Sequence, residues 1–290
     1  MFKPISFKYD SELKREIELR GLSNCTFENY RSQLRRMAGY FNKDIADVSV
    51  EEAKQYLHYL SAELKRNPQT INVCRAAFYF FKRCVHGEEI SPYALPKRKV
   101  TLQLPDILSL ETILVIFENL HLKQKAVLSL CYGSGLRISE ALNVQVEDID
   151  SEKMQVFVRK GKGGDPRYTI LSKQSLLILR QYYSHCRPKK PFLFPHRNND
   201  DISKNPQYAQ KIFVQIYKHL YPQSNKRITT HTLRHCFATH LLESGVDIRT
   251  IQALLGHKSI HSTSRYLHIT TKRFSQLVSP LDRKEGDSLV

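Results

Sequence analysis

The stretch HTLRHCFATHLLESG, residues 231–245, gathers His231, Arg234 and His235 at the start of what reads as a helix. Imidazoles exchange protons near neutral pH and guanidinium groups grip anions. Three chemistries fit: a metal site, a polar helix start with no further role, and a phosphate-binding active site. For a metal, His231 and His235 have the four-residue spacing that puts two ligands on one helical face, as in metalloprotease helices. Thr232 stands where such a helix needs glutamate, Cys236 and His240 fall on other faces, and no distant acidic ligand suggests itself. No metal and no cofactor are therefore expected. For a phosphate, His231 and Arg234 are three apart at a helix start, where both can face an anion at the positive end of the helix dipole.

One such pair is weak, and its company decides. Arg137 lies in GSGLRISEALNV, just after a glycine-punctuated helix break, and Glu140 follows on the same face, able to hold that arginine in position. Lys160 and Lys162 lie in RKGKGGDPR at the tip of a hairpin that can reach into a groove. His257 follows a helix stop in LLGHKS, and Tyr266 comes nine residues later. Taken singly these are a surface charge, a turn lysine, a capping histidine and a packed tyrosine.

The elements that would position them follow from periodicity. The first hundred residues read as helices only. Thr26 can cap a helix with Phe27, Tyr30, Leu34, Met37, Ala38 and Phe41 on one face. Ser49 and Glu52 form a capping box before the next helix, and a third runs on from Thr70 after Asn67-Pro68. Arg31 with Arg35, and Arg75 with Lys82, fall opposite the apolar faces, as solvated charge or as a phosphate grip. The segment SPYALPKRKVTLQLPDILS (91–109) has three prolines and no helical period and reads as a linker, with the domain boundary near 104. Helices are then expected over Ser109–Leu120 and Leu122–Tyr132 and from about Arg137, followed by a hairpin over 153–172. Helices over Ser172–His185, Gln207–Tyr221, Thr230–Ser244 and Asp247–Leu255 complete the chain, the last two stopped by Gly245 and Gly256.

Length and charge frame this pattern. The 290 residues are enough for two cored domains, and 45 Lys+Arg against 28 Asp+Glu leave a formal charge of +17. The excess is +6 before residue 100 (18 basic, 12 acidic) and +11 after it (27 and 16), so both halves should attract polyanions. The N-terminus lacks a signal-peptide core and no apolar run reaches membrane-spanning length, so a cytoplasmic chain is expected. The six cysteines are scattered without a CxxC pair, as reduced and mostly buried thiols would be.

In combination the motifs are specific. GLRISE, GKGG on a hairpin, HTLRHCFATHLLESG, LLGHKS and the tyrosine nine residues on occur in the order found in tyrosine recombinases, and residues 106–280 resemble the catalytic domain of that phage-integrase family. RGLSNCTFENYRSQLRRMAGYF resembles the first helices of the family's core-binding domain, and the layout is closest to Xer-like, integron or mobile-element integrases. The resemblance implies a mainly α fold with a small β-hairpin or sheet (α+β). Residues 1–104 would be a helical, SAM-like core-binding domain with its linker from about 91. Residues 105–290 would be a mostly helical catalytic domain with a C-terminal tail from about 270, the two forming a C-shaped DNA clamp.

The resemblance also implies roles. Arg137 and Arg234 would clamp the non-bridging oxygens of the scissile phosphate, Lys162 would protonate the departing 5′ oxygen, and His231 would accept or shuttle the phenolic proton. His257 would hydrogen-bond the phosphate, Tyr266 would be the nucleophile and Glu140 would support Arg137. Arg31, Arg35, Arg75, Lys82 and Lys160 are the candidate DNA contacts. The expected enzyme is a site-specific recombinase that cuts and rejoins duplex DNA through a 3′-phosphotyrosine and a Holliday junction, without metal or ATP. Its partners would be paired inverted half-sites, a homotetramer across two sites and possible accessory proteins. The apolar set Ile269, Phe274, Leu277, Val278 and Leu281 would pack within the chain or dock on a neighbouring protomer. Topoisomerase IB-like relaxation and a non-catalytic DNA-binding regulator are the alternatives.

Overall fold

The structure, a computed structural model, describes residues 7–101, 104–159, 165–196, 199–203 and 206–268. The chain divides into two compact units, Met1–Leu102 and Gln103–Val290.

In the first unit, helices α1 (Asp10–Leu19), α2 (Asn24–Phe41), α3 (Val50–Ala62) and α4 (Pro68–Phe80) surround one apolar core. Leu34 and Met37 of α2 meet Ala77 and Phe78 of α4 there, all of them buried. The Ser49–Glu52 capping box forms, with Glu52 N–H on Ser49 Oγ at 3.2 Å and Ser49 N–H on Glu52 Oε2 at 2.9 Å. Helix α2 starts three residues earlier than its periodicity suggests, because Ser23 rather than Thr26 is the cap and accepts from Thr26 N–H. Asn67 caps α4, whose first residue is Pro68, a position where the missing N–H costs nothing. Helix α1 was not apparent from the pattern: it buries only Leu13 and Ile17 among charged neighbours.

Two of the candidate DNA contacts are engaged within the protein. Helix α4 continues into a π-helical turn, Phe81–Val85, whose extra residue rotates the following side chains relative to a 3.6-residue period. Lys82, four residues after the buried Phe78, points inward rather than to solvent. It is 3% exposed and donates to the Ala46 carbonyl (2.8 Å) and Glu88 Oε2 (2.6 Å). Arg75 lies over the Tyr79 ring at 4.6 Å and donates to the carbonyls of Leu95 (2.7 Å) and Pro92 (2.9 Å). Residues 92–98, read as the start of a linker, are thus tied along α4, with Arg98 N–H also donating to Asn72 Oδ1 at 2.9 Å.

The second unit carries α5 (Leu110–Glu118), α6 (Leu122–Gly133), α7 (Ile138–Leu142), α8 (Lys173–Cys186), α9 (Pro206–Leu220), α10 (Thr230–Glu243), α11 (Ile248–Leu255) and α12 (His261–Ser264). Helix α6 is apolar on nearly every side, with Val127, Leu128, Leu130 and Cys131 buried, and it packs against α8 and α10 at the centre of the core. Strands β2 (Gln155–Val158) and β3 (Arg167–Ile170) form the expected antiparallel hairpin, with Val156 opposite Thr169 and Val158 opposite Arg167. Val156 and Val158 are the inward face, as alternation requires. Two elements are additional: β1 (Ile149–Asp150), which pairs with β2, and a separate pair, β4 (Pro195–His196) with β5 (Asn199–Ser203). The strands β1 and β4 are two residues long, too short to show a period.

The hairpin tip with Lys160 and Lys162 lies outside the described residues, as does the apolar set after Tyr266. Among the described residues no helix is long and apolar enough to cross a membrane. Of the six thiols, Cys74, Cys131 and Cys236 are buried, whereas Cys25 and Cys186 are exposed, so burial is less general than expected.

A structural role for Lys82 has a measurable consequence. Lys82→Ala leaves the half-buried Ala46 carbonyl without its donor and should lower the stability of the first unit by about 1–3 kcal/mol. Thermal unfolding reads that loss, while the salt dependence of DNA binding should keep its wild-type slope.

Candidate active site

The site is built around one carboxylate. Glu140, on the first turn of α7, has a side chain 9% exposed and accepts the backbone N–H of Arg137 at 2.9 Å, capping its own helix. Arg137 occupies the N-cap position and returns its side chain to the same group, Nη1 to Glu140 Oε1 at 2.7 Å. Arg167, the first residue of β3, adds a two-pronged contact, Nη1 to Oε1 at 3.2 Å and Nη2 to Oε2 at 2.9 Å. Arg234, on α10, brings Nη1 within 3.5 Å of Oε2. Three guanidinium groups from three elements therefore surround a single negative charge.

Main-chain carbonyls fix the geometry further. Arg234, 3% exposed, donates from Nη1 to the Gly135 carbonyl (2.7 Å) and from Nη2 to the Leu255 carbonyl (2.6 Å). Arg167 Nε donates to the Leu254 carbonyl at 2.9 Å. The two glycines that make these approaches possible are left-handed, Gly135 at φ +66° and Gly256 at φ +63°. A Cβ on Gly135 would fall 2.5 Å from the Phe237 ring, and one on Gly256 would fall 2.8 Å from Arg167 Cδ. The glycines read as helix stops are thus also close-approach points, where a backbone carbonyl and an arginine meet.

The electrostatics show an excess of positive charge. Burial alone would raise the Glu140 pKa, but its hydrogen bonds from Arg167 and the Arg137 N–H, with the fields of Arg167 and Arg234, hold it at about 2. Arg234 moves the opposite way, down to about 10, through burial and the charges of Arg137 and Arg167, with Glu140 and Tyr266 opposing. Burial is the larger cause, and the repulsion among the guanidinium groups adds to it, because one anion stands against three cations. The side chain of Arg137 is 35% exposed, which leaves the cluster open to a further anion.

The remaining described candidates lie on α10 and in the segment that follows α11. His231 stands on the first turn of α10. Loss of hydration and the charges of Arg234 and Arg137 keep its pKa below the ordinary imidazole value, while Glu140 pulls it up. His257 follows the end of α11, where its Nδ1 pairs with Thr263 Oγ1 at 2.9 Å and its carbonyl accepts from Gln252 Nε2 at 2.9 Å. Tyr266 lies in the short 3-10 turn Arg265–His268 and is 1% exposed, packed with Phe237, Ala238, Leu242, Ile251 and Leu255. Its hydroxyl pairs with His235 Nδ1 at 2.8 Å.

The fold thus brings Arg137, Glu140 and Arg234 into one cluster, with His231 and Tyr266 in electrostatic reach of it. Two residues that sequence reasoning missed join them. Arg167 was one basic residue among several in RKGKGGDPR, and its place after Pro166 at a strand start was the available signal. His235 carries in the sequence only the four-residue spacing from His231 that suits a metal ligand. In the first unit, Arg31 is paired with Asp10 (2.8 Å) and Glu28 (3.5 Å). Arg35 lines a cavity of about 810 Å³ with Arg31, Arg36, Tyr59 and Arg66.

Comparison with known proteins agrees with this architecture. Residues 107–273 match the phage integrase family, and residues 11–91 match the N-terminal SAM-like domain of phage integrases. A putative integrase/recombinase of Sinorhizobium fredii is 37% identical over 273 residues, covering 93% of this chain and 87% of that protein. Tyrosine recombinase XerA of Pyrococcus horikoshii is 32% identical over 274 residues, covering 92% and 91% of the two chains. Among solved structures, XerH site-specific recombinase bound to a palindromic DNA substrate superposes with a TM-score of 0.69 at 19% identity, over 92% of this chain and 83% of that one.

The pH dependence of stability tests the central carboxylate. A depressed carboxyl pKa contributes stability that is complete above the unfolded value near 4.5 and is lost as the pH falls towards about 2. The shift corresponds to about 3 kcal/mol. Glu140→Gln should therefore lower stability at pH 7 and flatten the acid limb of a denaturation series between pH 5 and about 2. Gly135→Ala, strained at a left-handed φ and against Phe237, should cost about 1–3 kcal/mol in the same measurement.

Proposed function

As a member of the phage integrase family and a tyrosine-type site-specific recombinase, this chain leads us to propose that Tyr266 attacks a DNA phosphate held by the arginines around Glu140. The observation that carries the reading is the charge imbalance of that cluster: three guanidinium groups on one carboxylate, with Tyr266 close enough to Arg234 to act on its charge. A phosphodiester brings the missing negative charge, and more of it accumulates on the non-bridging oxygens in the transition state.

The roles follow from what each group can donate. Arg137, the most open of the three arginines, and Arg234 hold the two non-bridging oxygens with forked N–H donors. Arg167 and Glu140 keep that pair in place without touching the substrate. His231 and His257 flank the phosphate as hydrogen-bonding groups. Lys162 protonates the departing 5′ oxygen. The Tyr266 hydroxyl gives its proton to a neighbouring histidine while its oxygen bonds to phosphorus and the bond to the 5′ oxygen breaks, which leaves a 3′-phosphotyrosine and a free 5′ hydroxyl. A 5′ hydroxyl from another strand reverses the step, and because the ester retains the bond energy, no ATP is consumed. Two rounds of exchange pass through a Holliday junction in a homotetramer on paired, inverted half-sites, with accessory proteins as further partners. The site of action is nucleoid DNA in the cytoplasm.

Basic groups in both units support DNA as the partner. Arg35, Arg36 and Arg66 form the phosphate-facing side of the first unit, in place of the inward-turned Lys82 and the carbonyl-bound Arg75. Lys160 contributes from the hairpin of the second unit.

A nicked suicide duplex tests the assignment, since release of a short 5′ fragment traps the covalent intermediate. The wild type should become attached to DNA and Tyr266→Phe should not, while the variant binds the duplex within about twofold of the wild type. An adduct on Tyr266→Phe would refute the nucleophile. Arg234→Lys keeps the charge but loses the fork, and should slow adduct formation by roughly 10²-fold or more. Selection from random DNA should return inverted half-sites.

A further inference from the structure

A free phenol titrates near pH 10, so a tyrosine nucleophile needs a base at its oxygen. The family resemblance gives that role to His231. The structure sets a different imidazole against the hydroxyl: His235 Nδ1 lies 2.8 Å from Tyr266 Oη, with the ring centroids 5.7 Å apart and the planes at 53°. We propose that His235 receives the Tyr266 proton as the phenol attacks phosphorus. The inference rests on Tyr266 being the nucleophile.

Three features converge on it. The contact is already at proton-transfer distance, and the apolar packing around Tyr266 holds the hydroxyl in place. His235 is the residue after Arg234, so one helix carries both the base and a phosphate-gripping arginine. The helical repeat, by contrast, places His231 one turn earlier, and the groups that act on its charge are Arg234, Arg137 and Glu140, the members of the phosphate cluster. His231 belongs to the phosphate and His235 to the phenol.

The step balances. With its own proton on Nε2, neutral His235 accepts the phenolic proton at Nδ1 while the Tyr266 oxygen bonds to phosphorus. The bond from phosphorus to the 5′ oxygen breaks, and that oxygen takes a proton from a separate acid, the role assigned to Lys162. On rejoining, His235 returns its proton to the phenolate. Among the described residues, the elements packed against the pair carry Arg234, His231 and His240 on α10, Tyr132 on α6 (bonded to His240 at 2.9 Å) and His257 beyond α11. Glu140, Arg137 and Arg167 act on it through Arg234.

Single-turnover adduct formation on the nicked duplex, followed against pH, tests the assignment. The wild-type rate should fall on the acid side as the imidazole becomes protonated. His235→Asn keeps a hydrogen-bonding group near the Nδ1 position but cannot take a proton. It should slow the reaction roughly 10²-fold or more and flatten the acid limb, with DNA affinity within about twofold. His231→Asn should retain the acid limb. A His235→Asn enzyme with the wild-type rate and pH profile would overturn the proposal. A second readout does not depend on a His235 variant: the ¹⁵N imidazole signals of His235 should shift when Tyr266 is replaced by Phe, and an unchanged spectrum would also overturn it. An adduct on Tyr266→Phe would instead sink the underlying nucleophile assignment, so the two failures are distinguishable.

Discussion

The second unit is organised by the attraction of three guanidinium groups for one buried carboxylate. Like charges confined to a small, poorly hydrated volume repel, and Glu140 makes their convergence tolerable by accepting hydrogen bonds from Arg137 and Arg167 and by standing 3.5 Å from Arg234. The compensation is incomplete: one negative charge faces three positive ones, and Arg234 is lowered to about 10 by burial first and by the charges of Arg137 and Arg167 second. An active site for phosphoryl transfer gains from that shortage. The energy that would otherwise be released within the protein stays available for an incoming phosphate and for the further charge that builds as it reacts.

Because the three arginines come from α7, β3 and α10, the cluster exists only when the unit is folded. Its precision depends less on the charges than on the main chain around them. The carbonyls of Gly135, Leu254 and Leu255 receive the remaining donors of Arg234 and Arg167, and two left-handed glycines let those carbonyls approach. The same helix that carries Arg234 also carries His231 and His235, one turn apart, so in the proposed reaction phosphate binding and nucleophile placement would be referred to one rigid axis. This arrangement suits an in-line displacement, where small errors in the relative positions of attacking oxygen and phosphorus are expensive.

Much of the fold was legible because its signals are local. The Ser49–Glu52 capping box, the alternation of Val156 with Val158 and the helix stops at Gly245 and Gly256 each depend on a few neighbouring residues, and each is found. The misreadings share a cause. Helix α1 buries two side chains, β1 has two residues, and Lys82 sits at the edge of the apolar stripe, where the turn that carries Ala46 and the loop that carries Glu88 cover it. Arg75 illustrates the same limit, since its partners lie 17 and 20 residues ahead. Charge on the polar face of a helix does not reveal whether a loop will return to claim it.

The sequence by itself determined which chemistry was possible. Arg137, Glu140, Lys162, the His231–Arg234 pair, His257 and Tyr266, in that order, name a phosphate, a positive field and a phenol, because residue type sets charge, proton affinity and donor geometry wherever the chain goes. Tertiary structure alone decided which of these groups meet. It made Arg167 a third ligand of Glu140 and set His235 against the Tyr266 hydroxyl. Both contacts join residues 27 and 31 positions apart, and such pairings arise from how helices and strands pack, which no local period records.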